Sequence, residues 1–96
     1  MRATGLRGAG RALLHWLQPA RKEIARREAL AEAAYDEMYD ASRHRVKECY
    51  EDAMGYLMEA IALAEKARLS RTAARLRARK EHIRNVYNDQ FRYVGY

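Results

Sequence analysis

The chain has 96 residues, 33% of them charged and 49% hydrophobic, which is one domain of ordered rather than disordered composition. No apolar run comes near the ~18–20 residues that span a bilayer, and the single cysteine, Cys49, excludes an intrachain disulfide. The net charge of +6 is segregated, with +5 over residues 1–22, −5 over 23–66 and +6 over 67–96, so the sequence points to charge-guided contacts more than to plain nucleic-acid binding.

Residues 1–18 hold Gly5, Gly8 and Gly10, with Arg recurring and Leu13, Leu14, Trp16 and Leu17 gathered at the end. This predicts a basic arm running into a short amphipathic helix that stops before Pro19. Arg7, Arg11 and Trp16 are the expected anchors, on a partner or on an anionic surface. An acid-free, Arg-rich N-terminus also has the makeup of a mitochondrial transit peptide, although it lacks serine. The expected location is cytoplasmic, with mitochondrial the alternative, and the domain reading is an arm over 1–18 and a helical domain over 19–96.

From Ala20 to Met54 there is neither Gly nor Pro, and strong helix formers dominate. Apolar positions run through Ile24, Ala31, Ala34, Tyr35, Met38 and Tyr39, then Val46, Cys49, Tyr50, Ala53, Leu57, Ala60, Ala64 and Ala67. The spacing of three and four is helical. The phase weakens over residues 40–44, where Asp40 or Ser42 could cap a second helix, but no capping box supports a break. Continuity is the preferred reading. Gly55 interrupts a strong pattern and predicts a close helix contact. Leu69-Ser70 reads as a turn with Ser70 as N-cap. The next helix carries Ala73, Leu76, Ile83, Val86, Tyr87, Phe91 and Val94 on its stripe, with Lys80 among them and Gly95 as its stop.

A short connection makes neighbouring helices antiparallel. The predicted fold is therefore all-α: a long helical hairpin of two long helices, the first with a candidate break near 40–44, with a short basic N-terminal helix or arm. Alanine supplies much of the apolar content, so the core is thin and a partner or a second copy is expected to add surface. The first half of the long stretch has little claim to a core of its own and is expected to project.

The pattern Tyr50-x-x-Ala53-x-x-x-Leu57-x-x-Ala60-Ile61 resembles the second helix of a tetratricopeptide (TPR) repeat, and Ile83-x-x-x-Tyr87 looks like the first helix of a next one. The resemblance covers about residues 47–91. It departs from the repeat at Lys80 and Arg84 and lacks the turn proline. What it implies is a lone TPR-like hairpin that needs a partner.

Two charged ridges stand out. Glu28, Glu32, Asp36 and Asp40 recur at i+4, a spacing of like charges that is mildly destabilising unless something offsets it. His44 and Glu48 continue the line. Asp40 and His44 could reach one metal ion from adjacent turns, but helical di-metal sites use Glu-x-x-His motifs, none of which occurs here. Arg68, Arg71, Arg75 and Arg79 form the basic counterpart; the acidic ridge reads either as a solvated face or as a partner-binding surface that meets a basic one, such as this ridge of a second copy, and the basic ridge could instead contact phosphates. Phe91, Arg92, Tyr93 and Tyr96 make an aromatic C-terminal docking segment. No catalytic residue and no cofactor is expected. Ser42 and Ser70 lack a nucleophile elbow, and His15, His44 and His82 are scattered. Cys49 reads as a small core residue. The expected function is a non-enzymatic protein–protein interaction module, an adaptor or a small subunit of an assembly or homo-oligomer. The alternative is a basic helical nucleic-acid-binding protein, with binding that weakens steeply in salt.

Overall fold

The computed structural model describes the backbone of residues 2–92 and the side chains of residues 17–92. Val94 and Gly95, expected to end the last helix, lie outside the described residues. Three helices follow one another: α1 (Arg2–Asp40), α2 (Arg43–Lys66) and α3 (Ser70–Val86), and a π-helical turn (Tyr87–Phe91) carries α3 onward. The molecule is a narrow rod with extents of 64 × 17 × 14 Å.

The hairpin between α2 and α3 is as expected. The first long stretch, however, is two helices. Ser42 is extended (φ −64°, ψ 161°), and its side chain makes no cap. Its carbonyl instead accepts the amides of Arg45 and Val46 at 2.9 and 3.2 Å. The break has a packing reason. A continuous helix would leave the stripes before and after it without a facing surface. Reversing direction at residues 41–42 lets α1 lie against α2, and Met38 and Val46 are then both buried.

α1 therefore does not project from the core over residues 20–40. Ile24, Ala31, Ala34, Tyr35 and Met38 are buried together with Val46, Cys49, Ala53, Leu57, Ala60, Ile61 and Ala64 of α2, and Ala73, Leu76 and Ile83 of α3. The small residues on α2 let helices approach from two sides. Arg27 meets Glu59 and Glu37 meets Cys49, ten residues up one helix for ten down the other, which is antiparallel packing in constant register. α1 and α3 then run parallel, with α2 between them in sequence and against both.

The arm also differs from expectation. The helix runs through Pro19 without stopping. Proline removes one intrahelical bond, but its fixed φ is helical, Pro19 is exposed, and good helix formers flank it on both sides. The boundary between 18 and 19 is thus not a break in the backbone.

The turn between α2 and α3 is a Schellman motif. The Leu69 amide bonds to the Ala64 carbonyl at 2.8 Å and the Arg68 amide to the Glu65 carbonyl at 3.0 Å. The residue that must adopt the left-handed conformation is Arg68, at φ 59°. Glycine is usual there because a Cβ is strained at positive φ. Leu69, not Ser70, is the N-cap of α3, and Ser70 is already helical. The Leu69 carbonyl takes the Ala73 amide at 2.9 Å, so the hydroxyl is not needed. Gly55 makes no close contact, since a Cβ built there meets nothing within 4 Å.

Candidate functional site

The acidic and basic ridges meet within one chain. Because α1 and α3 are parallel, residues 47 apart sit side by side. Glu28 takes Arg75 in a two-point pair at 2.5 and 3.1 Å. One turn on, Glu32 takes Arg79 at 2.7 and 2.6 Å. Both are fork-on-fork guanidinium–carboxylate pairs, the geometry in which such pairs are strongest. The hydrogen bonds from Arg79 hold the Glu32 carboxyl below its usual value against the opposing effect of burial, and the same bonds raise Arg79. Glu28 likewise raises Arg75. The i+4 acid repeat that looked unfavourable on one helix is offset by bases on another.

An aromatic step continues the seam. The Arg79 guanidinium lies over the Tyr35 ring, 5.2 Å from its centroid. Tyr35 packs edge-on against Tyr39 and His82, and Tyr39 packs edge-on against Phe91. The Tyr35 and Tyr39 hydroxyls share a hydrogen bond at 3.0 Å. Burial, then that hydrogen bond, pushes the Tyr35 phenol up to about 12. At the start of the π-helical turn, Tyr87 stacks on Tyr50 of α2 with centroids 3.9 Å apart. Phe91 thus docks on its own bundle.

The remaining ridge members are not brought together. Asp36 and Asp40 are exposed and form no ion pair among the described residues, and the same holds for Arg68 and Arg71. Asp40 and His44 stand on different helices across the break. Among the described residues no group of three or more His, Cys, Asp or Glu side chains is placed to hold a metal. Cys49 is buried, and burial, then Glu37 beside it, raises its thiol. Arg92 is exposed, Tyr93 and Tyr96 lie outside the described residues, and so do the side chains of Arg7, Arg11 and Trp16.

One surface escapes the helical stripes. On the α2–α3 hairpin a groove is lined by Met58, Ile61, Ala62, Glu65, Arg77, Lys80, Glu81 and Arg84. Met58 is 58% exposed, the most exposed large apolar side chain described. Arg77 pairs across the groove with Glu65, and Arg84 pairs with Glu81 along α3 at 3.1 Å. Lys80 is half-buried and forms no ion pair among the described residues. The signal for Met58 was its phase. It is a large apolar residue one position off the buried stripe at Leu57, and a stripe-based reading passes over it.

Comparison with protein-family models, with curated proteins and with solved structures finds no match.

Proposed function

We propose that this chain is a non-enzymatic protein–protein interaction module, an adaptor or a small subunit of an assembly, and that it receives its partner in the α2–α3 groove. The observation that carries the reading is Met58. A single exposed apolar residue is ordinary, but this one sits in a groove whose walls are apolar (Ile61, Ala62) and whose rim is charged and largely self-paired. An apolar centre within a polar rim is the anatomy of an interface. Lys80 is the rim charge left for a partner's carboxylate. The TPR-like likeness agrees with this reading only in that a lone hairpin of that kind would need a partner.

The ridges play a different part in this reading from that expected of them. With Glu28 and Glu32 occupied by Arg75 and Arg79, they align α1 with α3 and leave only their ends, Asp36 with Asp40 and Arg68 with Arg71, for outside contacts.

Exchange of Met58→Glu tests the proposal. The side chain is exposed, so the fold should survive, as judged by an unchanged helical signal and melting midpoint. Native mass spectrometry of the protein from its source should show a second copy or another protein bound to the wild type and absent from the variant. A wild-type chain that stays a lone monomer, or a complex that the variant retains in full, would refute the proposal.

A further inference from the structure

Along the middle of the bundle the arginines face carboxylates. Arg27 meets Glu23 and Glu59, Arg75 meets Glu28, Arg77 meets Glu65, Arg79 meets Glu32 and Arg84 meets Glu81. At the end of the bundle where α2 turns into α3 the bases have no such partners. Arg21 and Lys22 on α1, Lys66 in the last turn of α2, Arg68 in the connection and Arg71 at the start of α3 are all exposed and form no ion pair among the described residues.

The fold gathers these bases from three helices. Arg21 lines a cleft with Leu69 and Thr72, and Lys66 and Arg68 line a second with Leu69 and Ser70. Leu69 is common to both, so the clefts adjoin at the turn. The sequence places no acid among them, since α1 has none before Glu23 and residues 66–80 have none. The acids that line the two clefts, Glu28 and Glu65, are already held by Arg75 and Arg77. The exposed bases near the start of α2 differ in this respect, because Arg43, Arg45 and Lys47 are followed on their own helix by Glu48, Glu51 and Asp52. Arg68 keeps its charge in the turn at φ 59°, where glycine would relax the backbone.

We propose that this basic end, formed by Arg21, Lys22, Lys66, Arg68 and Arg71, binds the phosphate backbone of nucleic acid without regard to its sequence. Charge without apolar surface selects this occupant. The exposed large apolar side chains among the described residues are Leu30, Tyr39 and Met58, and none of them lines either cleft. A protein partner would look for an apolar centre, and stable attachment to a bilayer takes an apolar anchor beside the bases. No helix among the described residues is long and apolar enough to cross a membrane. A nucleic-acid backbone needs neither, because neutralised phosphates supply essentially all of sequence-independent affinity. The bundle is 17 × 14 Å across, and a duplex with a charge every ~1.7 Å of its axis offers enough phosphates over that width for all five bases. Three of the five are arginines, whose fork matches a phosphate.

The full-length chain is titrated against a labelled mixed-sequence DNA duplex of about 20 base pairs, from about 50 to about 200 mM salt. The expected result is binding at low salt that weakens about a hundredfold or more over this range, as four or five neutralised phosphates require. Lys66→Gln, Arg68→Gly and Arg71→Gln together should lower the slope of log affinity against log salt by about three. Arg43→Gln, Arg45→Gln and Lys47→Gln remove the same charge from the start of α2 and should leave that slope unchanged. Arg68→Gly alone should lower it by about one while raising the melting midpoint, so that loss of binding cannot be blamed on unfolding. Absence of binding at about 50 mM salt overturns the proposal. So does a slope that the turn variant retains, an equal loss in the two triple variants, or tighter binding to phosphatidylserine-containing vesicles than to the duplex. The purified chain is measured alone, so the outcome does not depend on whether the Met58 groove holds a partner.

Discussion

Two regions hold this bundle together by opposite means. Around α2 the contacts are small and apolar: Cys49, Ala53, Leu57, Ala60 and Ala64 are almost wholly excluded from solvent, and among the described residues no charged or polar side chain is buried. Between α1 and α3 the contacts are long and charged, Glu28 to Arg75 and Glu32 to Arg79, closed by the Tyr35, Tyr39 and Phe91 rings. The first region brings helices close and says little about which helix it is. A stripe of alanines accepts several neighbours in several registers. The second region contributes less free energy, and it disfavours a slip in one direction. Slipping α3 so that Arg79 faces Glu28 would leave Glu32 facing Ile83. The opposite slip would set Arg71 and Arg75 against Glu28 and Glu32, so there the aromatic packing of Tyr35 on His82 and of Tyr39 on Phe91 must hold the register.

The largest test of that division lies in the core. Leu57 and Met38 are fully buried, one at the centre of α2 and one on α1. Truncation of either to alanine should cost roughly 2–5 kcal/mol in urea denaturation. The two costs should be comparable if α1 belongs to the core. A loss at Met38 below about 0.5 kcal/mol, beside a large one at Leu57, would restore the picture of a projecting first helix.

The seam should respond more weakly and in a different manner. Its guanidinium–carboxylate pairs are part-exposed, and pairs of this kind are worth roughly 0.2–1 kcal/mol. A double-mutant cycle over Glu32→Ala and Arg79→Ala should give a coupling near the top of that range because the contact is two-pronged. Arg79→Lys keeps the charge and should still lose most of the coupling. Acid should act through the same pair. In the folded chain the Glu32 carboxyl titrates below its ordinary 4.5, so on acidification the unfolded chain takes up this proton first. The pair's contribution is complete above about pH 4.5 and fades as the pH falls through the depressed folded value. A melting midpoint that falls in this window for the wild type, and falls less for Glu32→Gln, is the expected pattern. Equal slopes in the two would mean that Arg79 does not hold Glu32 in solution.

The two regions also differ in how far they could be seen in the sequence. The core was legible. Ile24, Ala31, Met38, Val46, Ala53, Leu57, Ala60, Leu76 and Ile83 all lie on stripes that periodicity finds, because a helix imposes its own phase over a few turns. The hairpin followed from the short turn at Leu69. The seam was half legible. Glu28, Glu32, Arg75 and Arg79 each belonged to a visible ridge, but periodicity within a helix does not say which helix will lie opposite. The pairing depended on the break at residues 41–42, where no capping box signalled a new start and only tertiary packing favoured one. A continuous helix would have kept α1 away from α3 and sent both ridges in search of other copies. Met58 was not legible for the converse reason, since it lies off the stripe that helical periodicity marks.

The smallest effects are expected at two positions where the local conformation and the residue disagree, in opposite senses. Gly55 sits inside α2 with helical geometry, and a Cβ there meets nothing within 4 Å. Alanine should therefore restrict the unfolded chain without cost to the folded one and stabilise by roughly 0.5–1 kcal/mol. Arg68 sits at φ 59° in the Schellman turn, where glycine should relieve about 1 kcal/mol of backbone strain. Glycine and the larger residue should thus trade signs between two sites thirteen positions apart on one helix and its exit. Both midpoints should rise. If Gly55→Ala lowered the midpoint instead, a neighbouring helix must approach α2 more closely than 4 Å at that turn. The close contact expected from the sequence would then be real, and the α2 core would be tighter than its alanines already make it.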